Sequence, residues 1–239
     1  MEDTNASRKQ NNERHSLKSK RPRQKGPRRE TTRDEQLSRS LTWVLRHKAK
    51  SLGLVISDDG YIPLNKVLSC HKRFDGCSEE DVKRVVKNCS KQRFRLDDKD
   101  GTLHIRANQG HTIRSISDKE LLVPLSKTDL CSINCIVHGT TQKSWDDHIS
   151  KEGLSRMQRN HIHFALGLPA DNHVISGMRS SSQIHIYVDG ERCANDGIVF
   201  YRSDNNVILT AGVGKRGMLP ICYFRKVVEA RTGLELLSC

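Results

Sequence analysis

The sequence lacks the long apolar runs and paired motifs that mark several common classes of protein. No apolar run in the 239 residues approaches the roughly 20 that a membrane-spanning helix requires, so we expect no membrane partner. None of the eight cysteines forms a C-x-x-C pair and no H-E-x-x-H motif occurs, so we expect no metal site. A P-loop and a G-x-S-x-G motif are also absent, which argues against P-loop nucleotide chemistry and a serine hydrolase.

Acidic residues are few relative to basic ones, and this imbalance extends along the whole chain. The sequence holds 41 Lys and Arg against 28 Asp and Glu, a net charge of +13. Residues 1–33 carry +7 of this charge and the remaining residues +6, so a basic tail alone does not explain the excess. We therefore expect a polyanionic partner, with nucleic acid as the first choice. A basic protein without such a partner is the alternative that charge alone leaves open.

Residues 1–33 contain almost no apolar side chains. Such a segment cannot bury enough surface to offset the entropy lost on ordering, so we predict a disordered basic tail. Within it, residues 18–25 are typical of a nuclear localisation signal or a non-specific RNA-binding arm, and a solvated tail without a specific role is equally open. With no signal peptide, we expect free thiols and an intracellular location, in the cytoplasm, the nucleus or both.

The stretch after the tail predicts helices followed by a hairpin. Thr32 is followed three residues later by an acid, which is typical of a helix start, and helical apolar spacing continues to about Lys48. We predict further helices over 64–70 and from Ser78 onward, and then a hairpin over 93–106 with an Asp-Gly turn. Helices followed by a hairpin in a short basic stretch indicate a winged-helix-like module.

The second half predicts many short strands and one or two helices, which together give an α+β domain. One helix is expected over 145–154, ended by Gly153, and residues 167–177 form a loop rich in Gly and Pro. The predicted strands are 133–137, 161–163, 184–189, 199–202 and 207–210.

Histidine and arginine dominate the chemistry that the sequence offers. His161 and His163 alternate with apolar neighbours, so both should lie on one face of a strand. A site rich in Arg and His and poor in carboxylates suits a phosphate dianion and its transition state, because arginine forks match phosphate oxygens and stay charged. A half-buried strand pair without function is the alternative for the histidines, and a solvated surface residue is the alternative for any single arginine.

Six segments of the sequence closely resemble, in order, those of the RNA 2′-phosphotransferases, the tRNA-splicing enzymes that use NAD. The resemblance runs from about residue 34 to residue 228, and six motifs in register are far more specific than any one alone. The segments are 45–47, 91–94, 105–111, 137–140, 159–163 and 204–210.

The resemblance implies an α+β fold of two lobes. It predicts a winged-helix-like RNA-binding lobe at 34–120 and an ADP-ribosyltransferase-like, NAD-binding lobe with a split β-sheet at 121–230. The disordered tail at 1–33 precedes these lobes, and a C-terminal tail at 231–239 follows them. The implied partners are 2′-phosphorylated tRNA or RNA and the co-substrate NAD, and we expect a monomer.

The resemblance also implies a two-step reaction that needs no metal and ends tRNA splicing. The splice-junction 2′-phosphate of ligated tRNA attacks the ribose C1″ of NAD and expels nicotinamide. The 2″-hydroxyl of the adduct then attacks phosphorus, which releases RNA with a free 2′-hydroxyl and ADP-ribose 1″,2″-cyclic phosphate. One alternative is an NAD-dependent ADP-ribosyltransferase that stops after the first step and caps terminal phosphates of nucleic acids. A non-catalytic RNA-binding module is the other.

The essential Arg-His-Arg-Arg set of the family corresponds by motif to four residues: Arg46, His47, Arg93 and Arg159. By this resemblance the three arginines hold the 2′-phosphate. The histidine acts in the second step, on the 2″-hydroxyl or on the leaving RNA hydroxyl. The NAD pocket corresponds to five further residues: His138, Gly139, Thr140, His163 and Arg179. There a histidine would hold a ribose hydroxyl, glycine backbone would bind the nicotinamide amide, and Arg179 would approach the pyrophosphate.

Overall fold

The computed structural model of the protein describes residues 31–168, 171 and 176–238. The predicted basic tail and its localisation signal therefore lie almost entirely outside the described residues, as do six residues of the predicted loop at 167–177. From residue 32 onward the described chain belongs to one compact unit. The division into lobes at 34–120 and 121–230 stays a prediction.

The helices are short, and two of them contain π-helical turns. The π-helical turns are Val44–Lys48 and Trp145–Ile149, and 3₁₀ turns occur at Lys50–Leu52, Lys72–Phe74 and Ile221–Tyr223. The α-helices are Arg33–Trp43 (α1), Leu64–Ser69 (α2), Glu79–Lys87 (α3), Asp118–Leu121 (α4), Lys127–Ser132 (α5), Gln142–Ser144 (α6), Ser150–Glu152 (α7) and Gly190–Asn195 (α8).

The strands are also short and pair antiparallel throughout. They are Ile62–Pro63 (β1), Phe94–Lys99 (β2), Thr102–Ala107 (β3), Val123–Pro124 (β4), Val137–Thr140 (β5), Leu154–Ser155 (β6), Ile162–Phe164 (β7), Ile184–Val188 (β8), Tyr201–Arg202 (β9), Ile208–Thr210 (β10), Met218–Leu219 (β11), Phe224–Glu229 (β12) and Glu235–Ser238 (β13). Together with the helices they confirm the predicted α+β class.

Local sequence signals account for the first elements. The Thr32 hydroxyl caps α1 by accepting a hydrogen bond from the Glu35 N–H at 3.2 Å. Ser78 and Asp81 form a capping box at the start of α3, and the turn at Asp100 and Gly101 joins β2 to β3. The predicted helix starts and the predicted hairpin are therefore confirmed.

The sheets bring the two histidine-bearing strands of the second half together. Within the described residues, the strand orders are β1-β3-β2, β4-β9-β10-β7, β13-β12-β8-β5 and β11-β6. A single bridge between Val137 and Ala165 joins β5 of one four-stranded sheet to the residue after β7 of another. The predicted histidine sites on β5 and β7 consequently face each other where the two sheets meet.

The predicted strand over 133–137 is wrong in its bounds. The helix α5, which the sequence analysis missed, ends at Ser132, and the Ile133 N–H still donates to the Leu130 carbonyl at 3.3 Å. The apolar run therefore starts as a helix terminus, and β5 begins only at Val137. The missed helix has a sequence signal, since Ser126 and Asp129 form a capping box.

The C-terminal residues also differ from expectation. Glu235–Ser238 lies inside the predicted tail at 231–239, yet it forms β13 and pairs with β12. The helix expected over 145–154 begins earlier, at Gln142, and contains a π-helical turn before it ends at Gly153. None of the helices in the described ranges has both the length and the apolar character needed to cross a membrane.

The turn between β9 and β10 is bound to the first hairpin by a charged network. Asp204 accepts hydrogen bonds from Arg106 Nη2 at 2.6 Å and from Arg95 Nη1 at 3.0 Å. The Arg106 side chain is only 8% exposed, and its guanidinium also lies 4.8 Å from the centre of the Tyr61 ring. Asn205 Nδ2 donates to the Lys91 carbonyl at 2.9 Å. These contacts connect the segments on either side of Arg93 to the second half of the chain.

Replacing the central carboxylate should destabilise the fold in a pH-dependent way. Burial raises the pKa of Asp204, but hydrogen bonds from Arg106 and Arg95 outweigh it, so the pKa is lowered overall. The stability that ionised Asp204 contributes is present above the pKa of an Asp in the unfolded chain, about 3.9. It is lost as the pH falls through the lowered pKa of Asp204 in the folded protein. We expect Asp204→Asn to lower the free energy of unfolding by about 1–3 kcal/mol near pH 7, because Arg106 loses its charged acceptor.

Urea unfolding at neutral and strongly acidic pH measures this effect. The difference from wild type should shrink at acidic pH. Asp97→Asn, an exposed position on the same hairpin, is the matched control and should leave stability nearly unchanged. An Asp204→Asn protein as stable as the control at neutral pH would contradict the structural role of this network.

Candidate active site

The end of α1 presents the first two predicted site residues. Helical hydrogen bonding widens at Val44, where the Ala49 N–H donates to the Val44 carbonyl at 2.9 Å, five residues back. Such π-helical turns are frequent at functional sites because the extra residue reorients the side chains beside it. Val44 and Leu45 stay buried, whereas Arg46 is partly buried and His47 is exposed. The turn thus presents a cation and an imidazole from one helix end.

Arg46 lies within electrostatic reach of two other predicted arginines, Arg93 and Arg159. Burial, followed by the charges of Arg159 and Arg93, lowers the pKa of Arg46 to about 10. Partial burial also lowers the pKa of Arg159, followed by the charge of Arg179. Cations that are crowded together and partly desolvated favour an anion between them. The cluster of Arg46, Arg93, Arg159 and Arg179, which we call the arginine cluster, therefore suits phosphate groups.

The hairpin positions Arg93. Gln92 adopts a positive φ of 44° just before β2, and Asn108 extends the hairpin pairing by donating from its backbone to the Arg93 carbonyl at 2.9 Å. Asn108 Nδ2 also donates to the Gln92 carbonyl at 2.8 Å. Arg93 Nη1 reaches Cys89 Sγ at 3.5 Å. The backbone of Arg93 is thereby fixed on both sides by one asparagine.

His47 is the exposed imidazole beside the arginine cluster. Partial desolvation by the neighbouring groups is the largest cause that lowers its pKa, followed by the charges of Arg46, Arg159 and Lys48. The neutral imidazole is therefore favoured at physiological pH. Its Nδ1 lies 3.2 Å from the hydroxyl of Thr112. A neutral imidazole can accept a proton, which the guanidinium groups around it cannot.

The partly buried His138 and the buried His163 line the junction between β5 and β7. His138 Nδ1 donates to the His163 carbonyl at 2.8 Å, which leaves His138 Nε2 without that proton in the neutral ring. His163 is 8% exposed, and its Nε2 has no hydrogen-bond partner among the described residues. Burial lowers its pKa well below the ordinary range, and the charges of Arg159 and Arg46 add to this. The junction of the two sheets is therefore within electrostatic reach of the arginine cluster.

Gly139 and Thr140 lie farther along β5 and make different contacts. A Cβ at Gly139 would overlap the side chains of Met178 and Ser182, so only glycine fits beneath them. The Thr140 carbonyl accepts a hydrogen bond from the Gln183 N–H at 2.8 Å. Both residues are uncharged, and they directly follow His138 on β5. They are the two of the nine predicted site residues that carry no titratable group.

A short segment with no role predicted from the sequence bridges the two halves of the site. Residues 111–114 begin at the last residue of the third motif, and we call them the bridging segment. The Thr112 N–H donates to the Arg46 carbonyl at 2.9 Å, while Asn160 N–H donates to the His111 carbonyl at 2.8 Å. Arg114 Nη1 donates to the Arg159 carbonyl at 3.2 Å. The bridging segment thus holds the backbones of Arg46 and Arg159 on its two sides.

Two further histidines near the site were assigned no role from the sequence. Burial lowers the pKa of His111 to about 3, with the charge of Arg46 as the next cause. His161 Nε2 lies 3.1 Å from an Asp118 carboxylate oxygen, and its ring meets Tyr201 edge-on at 6.0 Å. Both histidines lie inside matched motifs, which is the signal that could have identified them. Among the described residues, no group of three or more His, Cys, Asp or Glu side chains could hold a metal ion.

A glycine pattern near the site has the spacing of a dinucleotide-binding fingerprint but not its structure. Gly212, Gly214 and Gly217 match G-x-G-x-x-G, and all three have positive φ. The fingerprint requires a strand before the glycines and a helix opening after them. Here the loop runs from β10 into the strand β11, so the glycines serve turns instead.

Substitution of Gly110 tests whether the position of the Arg46 guanidinium matters for anion binding. Its φ is 87°, and a Cβ there would lie 3.1 Å from Arg46 Nη1, whereas Gly101 has a φ of 75° and nothing within 4 Å. Alanine at either site should lose about 1–2 kcal/mol to backbone strain. Only Gly110→Ala should also displace the Arg46 guanidinium, so we expect it to weaken binding of inorganic phosphate about fivefold or more, about 1 kcal/mol.

Thermal unfolding and titration calorimetry with inorganic phosphate at low salt measure the two effects separately. Gly101→Ala is the matched control, because it introduces the same backbone strain away from the cluster. Equal phosphate affinity in the two variants would show that Arg46 does not contribute to an anion site.

Comparison with known proteins shows which family shares these features. Residues 32–212 match the family model described as RNA 2′-phosphotransferase, Tpt1 / KptA family. The chain is 44% identical over 206 residues to tRNA 2′-phosphotransferase 1 of Danio rerio, covering 85% of this chain and 89% of the relative. It is 45% identical over 212 residues to tRNA 2′-phosphotransferase 1 of Homo sapiens, covering 88% and 81%.

A relative from Schizosaccharomyces pombe is 46% identical over 202 residues, which cover 84% of this chain and 53% of the relative. The chain therefore spans about half the length of that relative but most of the length of the two vertebrate ones. The family model covers more than half of the chain, including the arginine cluster and the histidines of β5 and β7. The chain belongs to the RNA 2′-phosphotransferase, Tpt1 / KptA family.

Proposed function

We propose that the protein is a tRNA 2′-phosphotransferase that removes the splice-junction 2′-phosphate of ligated tRNA by transferring it to NAD. One observation carries the proposal: Arg159 and Arg93 both lower the pKa of Arg46, and neutral His47 lies beside them. This is the Arg-His-Arg-Arg set that the resemblance implies. The names of the vertebrate relatives support tRNA as the RNA that carries the phosphate.

The two lobes are part of the same proposal. The helices α1 to α3 followed by the β2–β3 hairpin support a winged-helix-like RNA lobe over 34–120. The two four-stranded sheets joined at Val137 and Ala165 support a split-sheet, ADP-ribosyltransferase-like lobe over 121–230. The basic character of the chain fits an RNA partner, and we retain a monomer and an intracellular location as predictions.

The residues at the junction of β5 and β7 fit NAD as the co-substrate. The buried Nε2 of His163 has no hydrogen-bond partner in the described part of the chain, so it is a polar atom that a bound group would satisfy. Nδ1 of His138 donates to the His163 carbonyl, which leaves Nε2 free to accept a hydrogen bond from a ribose hydroxyl. Gly139 has no side chain, so Met178 and Ser182 can pack closely against β5 there. Arg179 would bind the negatively charged pyrophosphate. NAD supplies the electrophilic ribose carbon together with nicotinamide as the leaving group.

In this proposal the protein contributes charge and one base. Arg46, Arg93 and Arg159 hold the 2′-phosphate and stabilise its charge as it moves, since guanidinium forks match phosphate oxygens. A phosphate is already a nucleophile, so the first step needs no carboxylate base. The second step requires that a hydroxyl lose a proton, and His47 is the neutral group beside the cluster that can accept one.

The decisive experiment incubates the full chain with a 2′-phosphorylated RNA and NAD. We expect nicotinamide, ADP-ribose 1″,2″-cyclic phosphate and RNA with a 2′-hydroxyl, separated by chromatography. Arg46→Ala should reduce the rate by at least about 100-fold, because one charged donor to a phosphate transition state is lost. Arg39→Ala removes an exposed arginine from the same helix and should leave the rate unchanged. If the wild-type protein releases neither nicotinamide nor ADP-ribose 1″,2″-cyclic phosphate, the proposed function is wrong.

His47→Ala separates the two steps. The first step depends on the arginines, whereas the second depends on the base, so ADP-ribosylated RNA should accumulate while nicotinamide is still released. Gel electrophoresis of a single-turnover reaction measures this intermediate. Accumulation of the same intermediate by the wild-type protein would instead favour the alternative of an ADP-ribosyltransferase that stops after the first step. Loss of nicotinamide release in His47→Ala would contradict the assignment of His47 to the second step.

A further inference from the structure

The hydroxyl of Thr112 has two polar neighbours at the active site. It lies 3.3 Å from the carbonyl oxygen of Arg46 and 3.2 Å from Nδ1 of His47. The backbone of Thr112 independently donates to the same Arg46 carbonyl at 2.9 Å. Thr112 is therefore fixed against the helix end that carries both proposed functional residues.

The Arg46 carbonyl is available because it lies at the end of a helix. The last carbonyls of a helix have no partner within it, and the widened turn at Val44 to Ala49 ends the helical bonding here. A carbonyl oxygen has two lone pairs and can accept from both the N–H and the hydroxyl of Thr112. The structure therefore gives the hydroxyl proton of Thr112 an acceptor that cannot itself donate.

This arrangement decides which nitrogen of His47 carries the proton. A hydroxyl has one proton, so if it points to the Arg46 carbonyl, its oxygen must accept from His47 Nδ1–H. The reverse arrangement would place two lone pairs, those of the hydroxyl and the carbonyl, against each other at 3.3 Å. Only the tautomer of His47 protonated at Nδ1 satisfies both contacts.

We propose that Thr112 is a positioning residue that holds His47 in the Nδ1-protonated tautomer, so that Nε2 is the base of the second step. The proposal rests on the proposed function. In that step the 2″-oxygen bonds to phosphorus and the bond from phosphorus to the RNA 2′-oxygen breaks. The proton of the 2″-hydroxyl passes to His47 Nε2 and then to the RNA 2′-oxygen. Thr112 touches neither substrate and acts only through His47.

The surroundings of His47 agree with this role. Partial desolvation and the charges of Arg46, Arg159 and Lys48 lower its pKa, which keeps the imidazole neutral and leaves one nitrogen with a free lone pair. Because His47 is exposed, that nitrogen remains accessible to a bound substrate. The hydrogen bond at one ring nitrogen of a histidine determines which nitrogen carries the proton and therefore which one can act as the base.

The tautomer can be measured without any activity, by ¹⁵N NMR of the histidine rings, with the His47 signals assigned by their loss in His47→Asn. Above the pKa of His47, the wild-type protein should show a protonated Nδ1 and an unprotonated Nε2. Thr112→Ser keeps the hydroxyl and should preserve this pattern, whereas Thr112→Val keeps the shape and the backbone hydrogen bond and should lose it. A wild-type His47 protonated at Nε2 would overturn the proposal, even if the variants failed to fold.

Single-turnover kinetics test the consequence with 2′-phosphorylated RNA and NAD. Thr112→Val should release nicotinamide at the wild-type rate but accumulate ADP-ribosylated RNA. Its second step should slow about tenfold or more, part of the roughly 10²–10⁴-fold that a positioned base contributes. Thr112→Ser should behave like wild type, as should Thr102→Val, a control at an exposed threonine of β3.

The outcomes separate this proposal from the proposed function. Equal slowing of both steps in Thr112→Val would mean a general structural effect and would overturn the positioning role. A wild-type protein that consumed no NAD would refute the proposed function, while the NMR measurement would still decide the tautomer.

Discussion

Repulsion among guanidinium groups is the constraint around which the site is built. Arg46 lies at a helix end, Arg93 directly precedes the hairpin strand β2, and Arg159 precedes β7. The charges of Arg93 and Arg159 both oppose that of Arg46. Such a cluster is stable only if the scaffold supplies the free energy that the repulsion costs, or if an anion neutralises it. The cost of this repulsion therefore explains why the surroundings of these residues are fixed by many contacts, and it agrees with the proposed role of the cluster in binding phosphate.

The rigidity comes from polar contacts on each side of the cluster. The bridging segment holds the Arg46 backbone through Thr112 and the Arg159 backbone through Arg114 and Asn160. Asp204 holds the hairpin that carries Arg93. Several of these side chains donate to backbone carbonyls, so they fix the positions of the arginines without cancelling their charges. A carboxylate at the same places would weaken the field that attracts a phosphate.

Local sequence signals predicted several helices and turns correctly. Features that depend on contacts between distant parts of the chain could not be predicted in this way. The caps of α1 and α3 and the Asp-Gly turn are specified within a few residues, so the sequence sufficed there. The strand placed at 133–137 failed because an apolar run fits a helix end and a strand equally well. Thr112 had no local signal at all. Its role exists only because residues 65 and 66 positions earlier in the chain, His47 and Arg46, fold back against it.

The charges that we propose to hold the phosphate also lower the pKa of His47, the proposed base. Partial desolvation lowers the pKa of His47 first, but Arg46, Arg159 and Lys48 contribute, so part of this shift depends on how much positive charge remains unneutralised. A bound phosphate dianion would cancel some of that field, and the pKa of His47 would then rise towards its ordinary value of about 6.5. The imidazole would thus become a stronger base when the substrate is present, which is when a hydroxyl must lose its proton. In the proposed reaction, one cluster of arginines would therefore couple substrate binding to the basicity of His47, with Nε2 as the nitrogen left free.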